Sequence, residues 1–368
     1  MAACADGREA GPIERRWWWR RAGSRRAALW LAIRIAMIAL AVYLLLPQLA
    51  GIEASGIALA RARRWWLLPL TLGLEAASLL AYAELVRTVL GTAGRQVARG
   101  QLQRATIAGY ALGKTLPGGS MAALAVVTTE LRGLGLPPAT TAASLAASGL
   151  LSSVMLALLL PLAVVLGLLS GGEGTAPALG LVGLAALVVA GALALRPLLR
   201  RPQALGSLAE RVATRVARGP LRRRIDPAAV GAQVNHAAET LGELAHQPAV
   251  LRRAAFWAAA NWLLDLSVLA VITATLGPHV PLWGLPLAYV LGQWTASVPL
   301  TPGGVGLVES ATTAALVAAG VPGGVATASV LGWRVISHWL PILAGYGLLA
   351  TLRAGHPRPQ PAARDDTG

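Results

Sequence analysis

The chain has 368 residues, of which 55% are hydrophobic and only 13% are charged, and its mean hydropathy is +0.60. This composition excludes an ordinary soluble domain, because the apolar content falls largely in runs near the roughly 20 residues that a bilayer-spanning helix needs. A net charge of +16 would suit nucleic-acid binding, but the arginines cluster between apolar runs, as membrane topology rules expect. The single cysteine, Cys4, excludes an internal disulfide and a cysteine metal cluster.

Residues 1–27 form a basic segment that we predict to lie in the cytoplasm. Within it, "RRWWWRRAGSRR" (15–26) would hold its arginines on the cytoplasmic side and its tryptophans in the headgroup layer. Binding of nucleic acid or of anionic lipid by this segment is the alternative interpretation. The next apolar run contains Arg34 and lacks a small-residue cleavage site, so we predict an anchor and not a removed signal peptide.

Apolar runs of spanning length occur at residues 28–49, 65–86, 139–168, 177–196, 254–277 and 324–352. They predict an all-α polytopic membrane protein of the bacterial plasma membrane with about six full spans. The arginine-rich segments place both termini and a connector at 197–253 in the cytoplasm, although the loop with Arg61, Arg63 and Arg64 is then outside, against the rule. We expect surface helices in the connector and disorder in the tail, residues 354–368.

Two further regions, about 105–135 and 283–320, contain apolar halves that are each too short to cross the bilayer. The halves meet at Pro117, Gly118 and Gly119 in the first region, and at Pro302, Gly303 and Gly304, followed by Gly306, in the second. Pro removes a backbone donor and Gly tolerates positive φ, so the chain can turn within the membrane where protein or water satisfies the backbone. We therefore predict two re-entrant helix–loop–helix units; a kink or a link between helices at a surface is the alternative.

The two regions are copies of one another. Residues 116–145, "LPGGSMAALAVVTTELRGLGLPPATTAASL", align without a gap on 301–330, "TPGGVGLVESATTAALVAAGVPGGVATASV", at a constant offset of 185. The Pro-Gly-Gly and Gly-x-Pro pairs recur in both copies, and "YALG" (110–113) corresponds to "YVLG" (289–292). The charge-based topology brings the copies in from opposite faces. This predicts an inverted repeat, with units at about 105–168 and 283–352 and a substrate site near the midplane.

Charged residues at membrane depth are the candidate binding residues. An ionised side chain near the bilayer centre costs about 2.5–3.5 kcal/mol on insertion scales, so Glu309 and Arg334 should pair or line a wet cavity. Either the pair only holds the re-entrant unit against the last span, or Arg334 offers a bidentate fork to a phosphate headgroup that Glu309 orients. We also select Lys114, the only lysine, and His338, which lies on the same helical face as Arg334.

Other polar residues within the apolar regions are ambiguous. Glu130 and Arg132 suit a solvated interface. Four more could be proton or ion relay sites, or could lie at wet helix ends; they are Glu75, Glu84, Asn261 and Asp265. Because the sequence contains no HExxH, GxSxG, P-loop or metal-spaced Cys/His set, we predict no catalytic residue, no metal and no cofactor.

Two stretches of the second copy carry the pattern of a known family, "LGQWTASVPLTPGGVGLVESATTAALVAAGVP" (291–322) and "VLGWRVISHWLP" (330–341). They resemble the membrane region of the lysylphosphatidylglycerol synthase transmembrane family, also described as flippase-like. The family pattern is present as Pro302, Gly303, Gly304, Gly306, Glu309, Gly320, Pro322, Arg334, Trp339 and Pro341. The first copy departs from it, since Lys114 and Ser120-Met121 replace an Asn before the Pro and a Gly-Glu after it.

The resemblance covers about residues 28–352 and implies a membrane domain that translocates lipid. In bifunctional members a soluble domain that transfers lysine from tRNA to phosphatidylglycerol follows; here about fifteen residues follow the last span, so we expect no synthase activity. The implied ligands are membrane lipids, either phospholipids or polyprenyl-phosphate-linked lipids, with an anionic or phosphate-bearing headgroup, and not nucleic acid. A non-catalytic subunit or scaffold of a lipid-modifying or envelope-synthesis enzyme is the alternative; self-association and a partner in envelope synthesis both stay open.

Overall fold

A computed structural model describes residues 64–115, 119–169, 186, 202–216, 227–277, 283–296 and 302–354. Every regular element in these ranges is helical. Several predictions lie outside them: those on residues 1–27, on the spans at 28–49 and 177–196, on Pro117 and Gly118, and on the tail beyond residue 354.

The first half of the described chain contains helices α1 (Leu68–Val89, after a 3₁₀ turn at Trp65–Leu67), α2 (Gly91–Gln96), α3 (Arg99–Thr115), α4 (Gly119–Gly133) and α5 (Pro138–Leu169). Next come α6 (Pro202–Val216), α7 (Pro227–Ala245), α8 (Pro248–Leu276) and α9 (Gly284–Ala296). A 3₁₀ turn (Pro302–Gly304) then leads to α10 (Leu307–Ala318) and α11 (Gly323–Arg334), and a π-helical turn (Val335–Trp339) joins α11 to α12 (Leu340–Ala354).

Four helical segments among the described residues are long and apolar enough to cross a membrane: Trp65–Val89, Pro138–Ala163, Pro248–Leu276 and Gly323–Leu352. They coincide with the predicted spans at 65–86, 139–168, 254–277 and 324–352. The prediction of a helical membrane protein is thereby confirmed, while the count of six stays a prediction. The predicted boundary between connector and span near residue 254 is not a helix boundary, because α8 already begins at Pro248, where proline suits a first helical turn.

Each Pro-Gly-Gly region forms a pair of short helices that pack on one another, α3 with α4 and α9 with α10. Helices α9 and α10 have 13 and 12 residues, which at 1.5 Å per residue is roughly 20 Å and 18 Å. Both lengths fall short of the roughly 30 Å hydrocarbon core. That the two pairs are re-entrant, and the face from which each enters, both stay predictions.

The two copies share the turn that follows each hairpin. Gly135 and Gly320 have φ of +89° and +92°, a left-handed conformation that glycine adopts without strain. The residue after each glycine donates its backbone N–H to a carbonyl five residues back, from Leu136 to Leu131 and from Val321 to Leu316, both at 3.0 Å. These are the bonds of a Schellman C-cap. The next helices begin at Pro138 and Gly323, again 185 residues apart, so the sequence repeat extends to the local backbone.

The second hairpin belongs to the largest buried apolar cluster of the described structure. Leu160 of α5, Leu269 of α8, Tyr289 of α9, Leu316 of α10 and Trp333 of α11 are all fully buried there. The hairpin is therefore fixed among three spanning helices. This packing presents its loop, at Pro302–Gly304, to the last span and to the end of α3.

Candidate functional site

Glu309 and Arg334 form a buried ion pair between the second hairpin and the last span. Arg334 Nε lies 2.6 Å from Glu309 Oε1, and the two side chains are 7% and 4% exposed. Arg334 Nη2 also donates to the carbonyl oxygen of Gly303 at 3.1 Å. The two charges pair, as the cost of burying them predicted. Both interpretations of the sequence include this bridge, so a role in headgroup binding stays a prediction.

The second oxygen of Glu309 holds the start of α10. The backbone N–H of Gly306, the N-cap residue, donates to Glu309 Oε2 at 2.6 Å. Glu309 is the third residue of α10, the position from which an acidic side chain reaches back to the N-cap and faces the positive end of the helix dipole. One carboxylate thus shapes the loop and binds the arginine.

The loop packs closely against two other predicted site residues. Gly303 has φ of +62°, and a β-carbon there would lie 2.6 Å from His338 Cε1 and 2.8 Å from the backbone oxygen of Lys114. Only glycine fits this conformation and this space. All four predicted substrate-binding residues therefore converge on Gly303: Glu309 and Arg334 through the bridge, His338 through its ring, and Lys114 through its backbone.

The Lys114 side chain faces the ring of Tyr110, with Nζ 5.4 Å from the ring centroid. This is a cation–π distance. Among the described residues, no carboxylate lies within ion-pair distance of Lys114 Nζ. Lys114 and Arg334 are close enough to interact electrostatically, but only Arg334 has a bound counter-ion. Lys114 is thus the cation of this site without an ion-pair partner among the described residues.

Tyr110 itself was not selected from the sequence, yet it links the first hairpin to the last span. Its hydroxyl donates to the carbonyl oxygen of Ser337 at 3.0 Å. Four residues after Ser337 stands Pro341, which has no N–H to offer that carbonyl. The π-helical turn accommodates the proline, with Leu340 N–H bonded to the oxygen of Val335. Pro341 is a sequence signal for an unpaired carbonyl, but nothing in the sequence identifies Tyr110 as its partner.

Asp265 accepts hydrogen bonds that connect its own helix to two others. Its Oδ1 accepts from Trp333 Nε1 at 2.7 Å, and its Oδ2 accepts from the Tyr289 hydroxyl at 2.7 Å and from Gln293 Nε2 at 3.3 Å. These donors lie on α9 and α11 and bind a carboxylate of α8. Asp265, ambiguous from sequence, is thus hydrogen-bonded on both oxygens, as a buried carboxylate requires.

The two helix pairs, the Glu309–Arg334 bridge and the segment with Trp339 and Pro341 all lie in the part of the chain that carries the family pattern. A family model described as "Lysylphosphatidylglycerol synthase TM region" matches residues 30–345. The chain belongs to this family. The match includes both copies of the repeat and every residue around Gly303, so this member of the lysylphosphatidylglycerol synthase TM-region family is a membrane protein linked to lipid handling. No curated protein matches the chain.

Two buried polar groups at the site of this TM-region family member have atoms with no hydrogen-bond partner among the described residues. Glu75 of α1 is 6% exposed and its Oε2 is unpartnered; it interacts electrostatically with Lys114 and Asp265. His338 is 2% exposed, and its Nδ1 is unpartnered. Buried polar atoms normally have partners. These two atoms are therefore available to a ligand, a water molecule or a proton.

The remaining ambiguous residues lie away from Gly303. Asn261 of α8 donates through Nδ2 to the hydroxyl and the carbonyl of Ser78 on α1, at 2.9 Å and 3.1 Å, which joins two spanning helices. Glu84 forms ion pairs at the end of α1 and is described below. Glu130 and Arg132 form no ion pair with each other. Within the described ranges, no three His, Cys, Asp or Glu side chains are grouped so that they could hold a metal ion.

Proposed function

We propose that this protein translocates a phospholipid or a polyprenyl-phosphate-linked lipid between the leaflets of the bacterial plasma membrane. The observation that carries the proposal is the convergence, on the Gly303 loop, of the paired Arg334 and of Lys114 at the end of α3, which has no carboxylate partner among the described residues. Family membership supports lipid handling in general. The arginine-rich segments favour an orientation with both termini in the cytoplasm.

The charges at Gly303 suit a phosphate-bearing headgroup. A guanidinium has more N–H donors than the bonds of Arg334 to Glu309 and Gly303 use, and it matches the geometry of a phosphate. Lys114 adds a second positive charge without a carboxylate partner among the described residues. Because Glu309 pairs with Arg334, and because the buried Glu75 and Asp265 interact electrostatically with Lys114, a headgroup would not be held by two uncompensated positive charges and could leave again, as a translocation path requires.

We further propose that the chain is not itself an enzyme and that it requires no metal or cofactor, since its sequence lacks the motifs of hydrolases, nucleotide-binding enzymes and metalloenzymes. It would instead provide a polar path through the membrane. The alternative function is a non-catalytic subunit or scaffold of a lipid-modifying or envelope-synthesis enzyme. Co-purification of a transferase with a chain that moves no lipid would favour that alternative.

The test is a leaflet-accessibility assay with the full chain reconstituted in liposomes that contain a fluorescent phospholipid. A membrane-impermeant quencher bleaches only the outer leaflet in protein-free liposomes; with the wild-type chain we expect bleaching to continue into the inner leaflet. Lys114→Ala should slow this second phase, and Arg252→Ala, which removes an exposed arginine of α8, should not. Wild-type liposomes that behave like protein-free ones would refute translocation, and an unaltered Lys114→Ala rate would refute the site.

A further inference from the structure

A second cleft lies apart from the Gly303 site, where α1 ends and where α5 and α8 begin. Its volume is about 700 Å³, and α2, the start of α3 and the end of α7 complete its walls. None of its lining residues belongs to the Gly303 site. Along α1, Glu84 of the cleft follows the buried Glu75 by nine residues, which is roughly 14 Å of helix. We call this cavity the arginine cleft.

The arginine cleft has an excess of positive charge. Its lining includes Arg87, Arg95, Arg99 and Arg253 against only Glu84 and Glu243. Glu84 is already engaged, since it lies 3.8 Å from Arg87 and 3.6 Å from Arg99. Arg95 on α2 and Arg253 on α8 have no acidic partner in the described parts of the chain. Two uncompensated guanidinium groups thus stand on different walls of one cavity.

The rest of the lining combines hydroxyl groups with apolar side chains, as the binding of an amphiphilic molecule requires. Hydroxyl groups come from Thr92, Thr140 and Ser144, and from Thr88 and Thr240, whose O–H groups already donate to the backbone oxygens of Glu84 and His236. Val89, Leu90 and Val250 provide apolar surface. Guanidinium groups and hydroxyls are the usual side-chain donors to phosphate oxygens. The volume falls within the roughly 300–1,000 Å³ of small-molecule sites and exceeds what a lone phosphate would fill.

The position of the cleft favours a lipid over a soluble anion. Three of the four candidate spans have an end there, those that contain α1, α5 and α8, so the cleft lies at the boundary between hydrocarbon and water. This is the arginine-rich side, which the positive-inside rule assigns to the cytoplasm. A leaflet with anionic lipids presents its phosphates at this level and attracts arginines.

We propose that the arginine cleft binds the headgroup of an anionic phospholipid from the adjacent leaflet. Arg95 of α2 and Arg253 of α8 contact the phosphate, and the hydroxyls and apolar residues of the lining hold the glycerol end of the lipid. The bound lipid lies on the same helix, α1, that carries Glu75 into the membrane. This binding does not depend on translocation, so it holds whether the chain moves lipid or acts as a scaffold.

The test measures binding of short-chain phosphatidylglycerol to the full chain purified in detergent, with short-chain phosphatidylcholine and inorganic phosphate as comparison ligands. An arginine near an anionic surface contributes about 1 kcal/mol, which is roughly fivefold in Kd. We therefore expect Arg95→Ala with Arg253→Ala to weaken binding about 25-fold. Arg252→Ala is the matched control, because Arg252 is exposed beside Arg253 but does not line the cleft.

A variant that should strengthen binding distinguishes a specific effect from damage to the fold. Glu84→Gln frees Arg87 and Arg99 from their carboxylate partner and should tighten binding several-fold, an effect that a damaged fold does not produce. The same measurements in a Lys114→Ala background separate this cleft from the Gly303 site: the loss caused by the double arginine variant should be equal in both backgrounds.

Three results would overturn the proposal. Equally tight binding of phosphatidylcholine would show that the headgroup charge is not recognised. Equally tight binding of inorganic phosphate, in competition with the lipid, would assign the cleft to a soluble anion. A loss with Arg252→Ala as large as that of the double variant would reduce the effect to general surface charge. A wild-type chain that translocates nothing but shows the arginine-dependent binding would contradict the proposed translocation and leave this site in place.

Discussion

The ion pair between Glu309 and Arg334 can be tested by removing its charges singly and together. Glu309→Gln keeps an oxygen that can accept the Gly306 N–H but leaves the Arg334 guanidinium buried without a counter-charge. Arg334→Met keeps an unbranched apolar stem and leaves the carboxylate buried with only its backbone donor. The two residues are 3% and 6% exposed, so water can do little to compensate either charge.

The expected magnitudes follow from that burial. Removing one partner of a buried pair costs about 3–5 kcal/mol, whereas replacing both with neutral residues of similar volume is often neutral or stabilising. Each single substitution would thus use a large share of the roughly 5–15 kcal/mol of a typical fold. We expect both single variants to melt several degrees lower than the wild type in detergent, and the double variant to recover most of that loss.

Stability and translocation together decide between the two roles of the pair. If the bridge only holds the hairpin against the last span, the double variant should recover both the melting temperature and the transfer rate. If the pair also contacts the headgroup, stability should return but translocation should not, and this is the result we expect. Single variants as stable as the wild type would refute the structural reasoning, and full recovery of transfer in the double variant would refute headgroup contact. Glu210→Gln, at an exposed glutamate that does not line the arginine cleft, is the matched control.

Three other substitutions, and Gly347→Ala as a control, test individual contacts through the melting temperature in detergent. Tyr110→Phe removes the donor of the Ser337 carbonyl and should cost about 1–3 kcal/mol, the penalty of an unpaired buried acceptor; an unchanged melting temperature would contradict that role. Gly303→Ala should lower stability and translocation together, because its β-carbon meets His338 and the Lys114 backbone. By contrast, Gly347→Ala, with nothing within 4 Å of its β-carbon, should be neutral or stabilise by about 0.5–1 kcal/mol. Glu75→Gln replaces a buried carboxylate that has an unpartnered oxygen and should raise the melting temperature; a decrease would show that the negative charge is needed for folding.

The spanning helices could be predicted from the sequence because a bilayer imposes a local requirement, a long apolar run in which the helix satisfies its own backbone. Four predicted spans coincide with helices of the structure. The turn geometry of the repeat was also encoded locally. Gly135 and Gly320 stand where only a left-handed conformation closes the helix end, so the same residues give the same turn in both copies.

The pairing of Glu309 with Arg334 could be predicted for an energetic reason, since two charges at membrane depth must find each other or water. The partners of Asp265 and the role of Tyr110 could not. Tyr110 and Ser337 are 227 residues apart, and the arginine cleft joins segments that extend from residue 84 to residue 253.

The amino-acid sequence by itself determined which segments are helical and apolar, where the chain turns, and which charged residues lie at membrane depth. Only the tertiary structure decided which faces of the helices meet. It thereby decided that, among the described residues, no carboxylate lies within ion-pair distance of Lys114, while Asp265 accepts from Tyr289, Gln293 and Trp333. The reason is that α5 is apolar on all sides, and that apolar residues cover most of the surface of α8. Their hydrophobic pattern therefore does not indicate which side faces lipid and which faces protein.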